Sequence, residues 1–455
     1  CSPHINDWMK MKNKYLYIQT FGCQMNVHDS EQMAALLAQF GYKITDNLKL
    51  ADLILLNTCS IREKAEHKVY SKLGRISKLK EENPELIIGV GGCLAQHLGT
   101  KFHKKVGYLD FVFGTHNIHR LPQLVAAIKK KRGKITEVDF HKSINSIGVF
   151  APPQSGTISA FVTIMQGCNN FCAYCVVPYL RGPEMSRPPE DIIEEIKKLA
   201  DCGIREVTLL GQNVNSYGKM LGNGLNFTAL IKKIGKISGI ERIRFTTSHP
   251  RDLSDELINC FAEEEKLCEH IHLPVQSGSN RILALMNRGY TVEEYMKKVD
   301  HLRKLNSQIS ITSDIIVGFP GETQNDYQET IDMMEKIRFD SVFSFKYSER
   351  KGTAAQKLEG KVEECEKLRR LEQLQMLQDQ HTLEKNTALE SSKQELLVEG
   401  KSKNSENDLM GRTSSWRIVN FKGELELIGK LVDVKISKAY LHSLRGKRIN
   451  NEGGW

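Results

Sequence analysis

Residues 165–175 read Met165-Gln-Gly-Cys168-Asn-Asn-Phe-Cys172-Ala-Tyr174-Cys175, a CxxxCxxC spacing at the end of the apolar run 161–165. Three thiols so close together, with no fourth Cys or His beside them, leave one coordination position open. A structural zinc site is normally closed by a fourth protein ligand, so zinc here requires a distant one. A [4Fe–4S] cluster held by three cysteines instead exposes one iron to a substrate or cofactor. The apolar run is a strand candidate, which places the motif just past a strand end.

Outward from this stretch the chain alternates strand and helix signals. On its C-terminal side the strand candidates are 207–210, 243–247, 270–274, 309–317 and 342–347, separated by amphipathic stretches such as 189–201 and 292–305. With 161–165 they make six strand–helix units, predicting an open partial (β/α)6 barrel, smaller than the closed eight-unit form. Pro188 and Pro189 suit a helix start, where a missing backbone N–H costs least. Residues 361–389 read as a helix packing back on the barrel, with Val362, Cys365, Leu368, Leu371, Leu374 and Leu377 in near-register. From about 391 the pattern turns to short β-rich runs separated by Gly, Asn and Ser, predicting a small β-barrel.

On the N-terminal side, runs at 15–18, 53–56, 86–90 and 111–113 alternate with helical patterns at 30–40 and 62–80. Such alternation predicts an α/β domain with an open, mainly parallel sheet. Gly148–Gly156, GVFAPPQSG, carries adjacent prolines and flanking glycines, a linker signal. The expected domains are therefore 12–150, 155–390 and 391–455.

A second set of cysteines is dispersed. Cys23 in IQTFGC, Cys59 in LLNTC and Cys93 in GVGGC lie 36 and 34 residues apart, each just past a strand candidate. Carboxyl ends of strands in an open parallel sheet form the ligand-binding crest. Lone cysteines are usually inert hydrophobes, but recurrence at one rim points to a second three-Cys cluster, with Gly22, Gly91 and Gly92 letting the backbone turn around it. Cys1, Cys202, Cys260, Cys268 and Cys365 have no such context and are read as bystanders. His249 and His272 lie near strand ends, where they are placed to face the site although a packed or surface role is the stronger expectation for each, and His116 and His119 in HNIH lack metal-binding neighbours.

Composition narrows the classes further. The 455 residues are 40% hydrophobic and 26% charged, ordinary for a globular chain. No apolar run approaches the roughly 20 residues of a membrane span, and no export signal is read at the N-terminus. Eleven cysteines without such a signal argue for a reducing, cytoplasmic compartment. The net charge of +9 divides unevenly. Residues 1–150 hold 22 basic and 13 acidic side chains (+9), 151–390 hold 30 and 34 (−4), and 391–455 hold 12 and 8 (+4). Arg412, Arg417, Lys430, Lys435, Lys438, Arg445, Lys447 and Arg448 in the last segment suit a phosphate backbone, where Trp416 and Phe421 are candidates for stacking on bases or for core packing.

CNNFCAYC is the motif of radical S-adenosylmethionine (SAM) enzymes, in which SAM chelates the open iron, and Tyr174 stands in that superfamily's aromatic position. Two three-Cys sites with a basic β-barrel resemble the methylthiotransferase family nearly end to end. QTFGCQMNVHDSE, NTCSIREKAE and GGCLAQ look like its N-terminal domain, MQGCNNFCAYCVVPYLRG like its radical SAM core, and 398–436 like its TRAM domain, an RNA-binding β-barrel. CQMN, LLGQNVNSYG, HLPVQSGSNRILALMNRGYT and FKYSERKGT resemble most the subfamily that makes 2-methylthio-N6-dimethylallyladenosine in tRNA. Ribosomal-protein methylthiotransferases have CPKN after the first strand. Asn404 departs from the second Lys common after Ser-Lys in the tail.

The resemblance implies methylthiolation at C2 of N6-(dimethylallyl)adenosine beside the anticodon. The cluster at Cys168, Cys172 and Cys175 would reduce SAM to a 5′-deoxyadenosyl radical, the cluster at Cys23, Cys59 and Cys93 would hold sulfur, and a second SAM would supply the methyl group. It also suggests Gln276 and Asp314 for the ribose hydroxyls of SAM and Arg288 for its carboxylate. Implied partners are a tRNA anticodon stem-loop and an electron-donor protein, with no membrane and a monomeric enzyme. Alternatives are a methylthiotransferase acting on threonylcarbamoyladenosine or a ribosomal protein, and a non-catalytic iron–sulfur carrier with an RNA-binding tail. Carriers normally close every iron with protein ligands.

Overall fold

Leu53, Ile54, Leu55 and Leu56 are all fully buried, although successive residues of a strand face opposite sides. A strand with two buried faces belongs inside a sheet covered on both sides. The computed structural model describes residues 14–59, 63–141, 150–222, 224–403, 405 and 407–449; Cys1 and Asn404 lie outside the described residues. Two compact units are present. One comprises residues up to Pro152 together with Tyr179–Met185, and the other Pro153–Pro178 together with Ser186 onward.

The first unit is a six-stranded sheet of β1 (Lys14–Thr20), β2 (Tyr42–Ile44), β3 (Leu53–Thr58), β4 (Ile87–Gly92), β5 (Phe111–Phe113) and β6 (Ile135–Glu137). The order is β2-β1-β3-β4-β5-β6 and every pairing is parallel. Leu53 and Leu55 pack with Leu37, Phe111 and Leu124 on one face, beside helices Gln24–Ala38 and Leu121–Lys130. Ile54 and Leu56 pack with Val69, Leu73 and Ile88 on the other, beside Glu63–Glu82. Burial of each such side chain stabilises by about 1.5–3 kcal/mol.

The helix expected over 30–40 starts earlier, at Gln24, with Cys23 as its N-cap. Apolar periodicity misses this turn because, Met25 aside, its buried residues are polar: Asn26 donates to Asn57, and Thr20 donates to Ser30. Strands β2 and β6 were not expected; each is a three-residue edge or near-edge element with little apolar signal.

In the second unit, β7 (Ser159–Thr163), β8 (Glu206–Leu210) and β9 (Arg242–Phe245) form one parallel sheet. β10 (His270–His272), β11 (Ser310–Val317) and β12 (Ser341–Lys346) form another. A parallel bridge between Ile243 and Leu267 links them. Six sequential parallel strands with crossover helices are the expected partial barrel, and helices Pro189–Asp201 and Val292–Leu305 match the expectation to the residue.

The helix at the barrel's end spans Glu364–Thr387. Its buried face only partly follows the Leu stripe: Leu374 is buried together with Arg370, Gln378 and His381, while Cys365 and Leu368 are exposed. Polar partners explain the rotation. Arg370 pairs with Glu322 at 2.6 Å, and Gln378 donates to the Phe339 carbonyl at 3.0 Å.

β13 (Lys393–Lys401), β14 (Asp408–Thr413), β15 (Ile418–Lys422), β16 (Leu431–Ala439) and β17 (Leu444–Arg448) close into a barrel of order β13-β14-β15-β17-β16. Its core holds Leu396, Val398, Val419, Phe421, Val434 and Ile436. This barrel docks on the larger one within the same unit. Arg244 pairs with Glu206 at 2.8 Å and donates to the carbonyls of Thr413 and Ser414, both at 2.8 Å. Trp416 lies between the guanidiniums of Arg244 and Arg412, at 4.7 and 4.3 Å, and stacks on His270.

Arg244→Ala leaves the Glu206 carboxylate buried without its cation. The expected loss is about 3–5 kcal/mol of stability in the second unit, measured by urea denaturation. A loss within experimental error would contradict the docking role.

Candidate functional site

Strands β1, β3 and β4 are neighbours in the sheet, and a cysteine follows the carboxyl end of each. The gap between β1 and β3 is where strand order reverses, the position at which open α/β sheets bind ligands. Cys59 and Cys93 are buried and Cys23 is exposed. A side-chain clamp sets the rim. Asn26 donates to the Asn57 side chain at 3.0 Å and to the Thr58 carbonyl at 3.1 Å, Asn57 returns a bond to the Asn26 carbonyl at 2.8 Å, and Cys23 Sγ donates to Asn26 Oδ1 at 3.2 Å.

Two glycines are required there. Gly22 has φ +122°, and a Cβ on it would stand 2.4 Å from Cys59 Cβ; Gly92 has φ +88°, and a Cβ on it would stand 2.3 Å from the Thr58 carbonyl oxygen. Sequence reasoning missed Arg181. It is buried and pairs with Asp29 at 3.0 Å, with Cys93 and Cys23 close enough to be felt electrostatically.

The second cysteine set lies in the loop after β7. Cys168, Cys172 and Cys175 are half-buried, and Cys175 N–H donates to the Cys172 carbonyl at 2.9 Å. Arg288, expected to pair with the SAM carboxylate, is buried and faces this loop. Its Nη1 donates to Cys172 Sγ and to Tyr174 Oη, both at 3.3 Å, its Nε to Tyr290 Oη at 3.0 Å and its Nη2 to the Pro274 carbonyl at 2.7 Å. Four of its five N–H groups are therefore engaged, so a bidentate grip on a carboxylate would need one of these bonds released.

Gln276, past the end of β10, and Asp314, within β11, are brought together. Gln276 N–H donates to the Asp314 carbonyl at 2.9 Å, its carbonyl accepts from Ile316 N–H at 2.9 Å, and its backbone is left-handed, φ +77°. Ile316 and Tyr174 both pack against the apolar cluster that includes Ala173 of the cysteine loop. His272 Nε2 lies 3.5 Å from Asp314.

The residues present fit the groups that the motifs imply. Burial pushes the Cys175 thiol up to about 12 and raises that of Cys93. Near neutrality both thiols stay protonated unless a cation such as cluster iron lowers their pKa. Among the described residues, no three His, Cys, Asp or Glu side chains are gathered as one metal ion would require. Past β8 and β9, buried Asn213 Oδ1, both polar atoms of the Asn215 side chain, Ser248 Oγ and His249 Nε2 have no hydrogen-bond partner. Unpaired buried polar atoms in a cluster are costly and suit a polar ligand such as SAM. Only their place past strand ends, in LLGQNVNSYG and TTSHP, could have flagged them. Burial and the nearby Arg288 cation lower the His249 pKa to about 2, so the ring is neutral.

Comparison with known proteins agrees with this geometry. Family profiles match the radical SAM superfamily at residues 162–334, an uncharacterized protein family, UPF0004, at 15–114 and the TRAM domain at 388–449. The chain is 61% identical over 444 residues to a tRNA-2-methylthio-N(6)-dimethylallyladenosine synthase of Syntrophus aciditrophicus (strain SB), covering 98% of this chain and 96% of that one. The chain belongs to that synthase family. It is a radical SAM enzyme. A second relative with the same name, from Geobacter sulfurreducens, is 50% identical, covering 97% and 99% of the two chains. Among solved structures, the radical SAM methyltransferase TsrM from Kitasatospora setae, with cobalamin and a [4Fe-4S] cluster bound, has TM-score 0.57 at 14% identity over 76% of this chain and 74% of that one, a likeness of fold. No helix of the described residues is long and apolar enough to cross a membrane.

The tail's cations divide into two groups. Arg412 pairs with Glu399 at 2.8 Å, Arg417 with Asp340 at 2.5 Å, and Arg445 with Asp408. Lys430, Lys435, Lys438, Lys447 and Arg448 are exposed. Phe421 is in the barrel core and Trp416 at the docking surface between the barrels, so packing accounts for both. Cys202 and Cys365 are exposed, and Cys260 and Cys268 buried.

Anaerobically reconstituted protein is expected to hold about eight iron atoms per chain, two [4Fe–4S] clusters. Replacing Cys168, Cys172 and Cys175 together by Ala should leave half, and so should replacing Cys23, Cys59 and Cys93. Iron and sulfide analysis with Mössbauer spectroscopy checks this, and undiminished iron in either variant would remove that set from cluster binding.

Proposed function

We propose that this chain attaches a methylthio group to C2 of N6-(dimethylallyl)adenosine beside the anticodon of tRNA. The observation that carries the reading is the pair of three-cysteine rims, each at strand carboxyl ends and each with a buried arginine, in a chain 61% identical to a synthase named for that product. An aromatic C–H bond is beyond side-chain acid–base chemistry, so cofactors carry the hard step. When bound, SAM with the Cys168–Cys172–Cys175 cluster supplies a 5′-deoxyadenosyl radical, a second SAM supplies methyl, and the Cys23–Cys59–Cys93 cluster supplies sulfur.

The residues of the chain hold and orient. Arg288 and Tyr174 keep a cation and a phenol beside Cys172, and Arg288 reaches the SAM carboxylate through one N–H. Gln276 and Asp314 receive the ribose hydroxyls, their proximity fixed by the main-chain bonds between their strands. The domains are read as 12–150, 155–390 and 391–455. The last grips RNA through Lys430, Lys435, Lys438, Lys447 and Arg448, while the target base is splayed into the site, as enzymes acting on buried bases require. The enzyme works as a cytoplasmic monomer served by an electron-donor protein.

Two experiments test this. In cells lacking the protein, mass spectrometry of tRNA nucleosides should show dimethylallyladenosine persisting without its 2-methylthio form. Loss of the methylthio group from threonylcarbamoyladenosine instead would redirect the reading to the related subfamily. In the purified enzyme, Cys172→Ala should abolish 5′-deoxyadenosine formation.

Removing the tail would expose the Arg244 side chain, so the tail's role is better tested by substitution. Lys435→Glu with Lys447→Glu should weaken tRNA binding and flatten its log–log salt slope by about 0.9 for each phosphate no longer neutralised, leaving SAM cleavage intact. Unchanged affinity would remove this face from the RNA site.

A further inference from the structure

Arg181 has more burial and more charge than its structural duties demand. The segment Tyr179–Met185 packs with the first unit through its main chain: Thr115 Oγ1 donates to the Leu180 carbonyl at 3.3 Å, and His116 Nε2 bonds the Arg181 carbonyl at 2.9 Å. Those bonds need no side chain at 181. Yet the guanidinium is buried, 3% exposed, beside Asp29 at 3.0 Å and close enough to Cys93 and Cys23 to act on both electrostatically. A buried ion pair is seldom more stable than the apolar pair that would replace it, so a charge kept here calls for something to act upon.

The cysteine rim beside it, through Cys93 and Cys23, supplies the reason. Three thiolates on a [4Fe–4S]2+ core sum to one net negative charge, and an anionic sulfur ligand on the open iron adds another. Asp29 already offsets the one guanidinium charge, so the rim gains no cation beyond this neutral pair. A guanidinium is planar and presents several N–H donors in fixed directions, so it can hold a thiolate and a second anion together, as a lysine ammonium would not.

We propose that Arg181 is the anion-holding residue of the Cys23–Cys59–Cys93 site, donating hydrogen bonds to a hydrosulfide or methanethiolate carried there. This rests on the reading of that site as the sulfur-bearing cluster. Asp29 opposes the charge and limits how tightly the sulfur is held, which a group destined for transfer requires.

The test uses full-length protein with both clusters reconstituted anaerobically, titrated with sodium methanethiolate and followed by EPR of the reduced cluster. Arg181→Gln should weaken methanethiolate binding by about tenfold or more, the scale of one charge-assisted hydrogen bond, and shift the cluster's reduction potential downward with iron content unchanged. Arg181→Lys should recover part of the affinity. Asp29→Asn should tighten binding, the opposite sign.

If Arg181→Gln binds as the wild type does, or if Asp29→Asn weakens binding as much as Arg181→Gln, the pair is structural and the inference falls. Should Arg181→Gln fail to load iron, the signs for Arg181→Lys and Asp29→Asn decide. Methanethiolate that leaves the wild-type spectrum unchanged would overturn the sulfur-bearing reading itself, separately from the role of Arg181.

Discussion

The hydrogen bonds that join Asn26 to Asn57 and to the Thr58 carbonyl hold the first functional rim in shape. They tie the helix after Cys23 to the end of β3, where Cys59 begins the next turn. Both asparagines are fully buried, where an amide is stable only if its partners are in place. The clamp therefore tolerates little movement, and the cysteines it positions inherit that rigidity. Gly22 and Gly92 complete the constraint, because their backbones pass too close to Cys59 and Thr58 for a side chain.

The barrel site uses a different device. Arg288 connects the cysteine loop, through Cys172 and Tyr174, to the end of β10, through the Pro274 carbonyl. One buried cation thus fixes two separate pieces of the rim. Past β8 and β9, buried polar atoms of Asn213, Asn215, Ser248 and His249 have no hydrogen-bond partner within the protein. The neutral His249 ring is suited to hydrogen bonding and contributes no charge.

The small β-barrel is bound to the larger one by buried arginines. Arg242 donates to the Arg412 carbonyl at 2.5 Å, and Arg244 reaches the next two carbonyls along that strand end. Such bonds satisfy main-chain acceptors at the edge of the smaller barrel and fix its orientation on the larger. They also divide its basic residues, leaving Arg412, Arg417 and Arg445 to ion pairs while the exposed lysines of β16 and β17 face water.

The sequence alone located most of the elements and the candidate cluster-binding cysteines. Apolar periodicity located the helices Pro189–Asp201 and Val292–Leu305 because their buried faces are made of Ile, Val, Leu and Tyr. Spacing marked Cys168, Cys172 and Cys175, and position past strand candidates marked Cys23, Cys59 and Cys93. It failed where burial is polar. The first turns of Gln24–Ala38 and the inward face of Glu364–Thr387 are held by side-chain hydrogen bonds that periodicity does not register. Tertiary structure alone decided which charged residues serve the rims and which serve the scaffold. Arg181, Arg244, Arg288 and Lys435 look alike in the chain. Only the partners within about 3 Å of each, most of them far away in sequence, determine whether a cation is buried beside a thiol, spent on a carbonyl, or left for solvent.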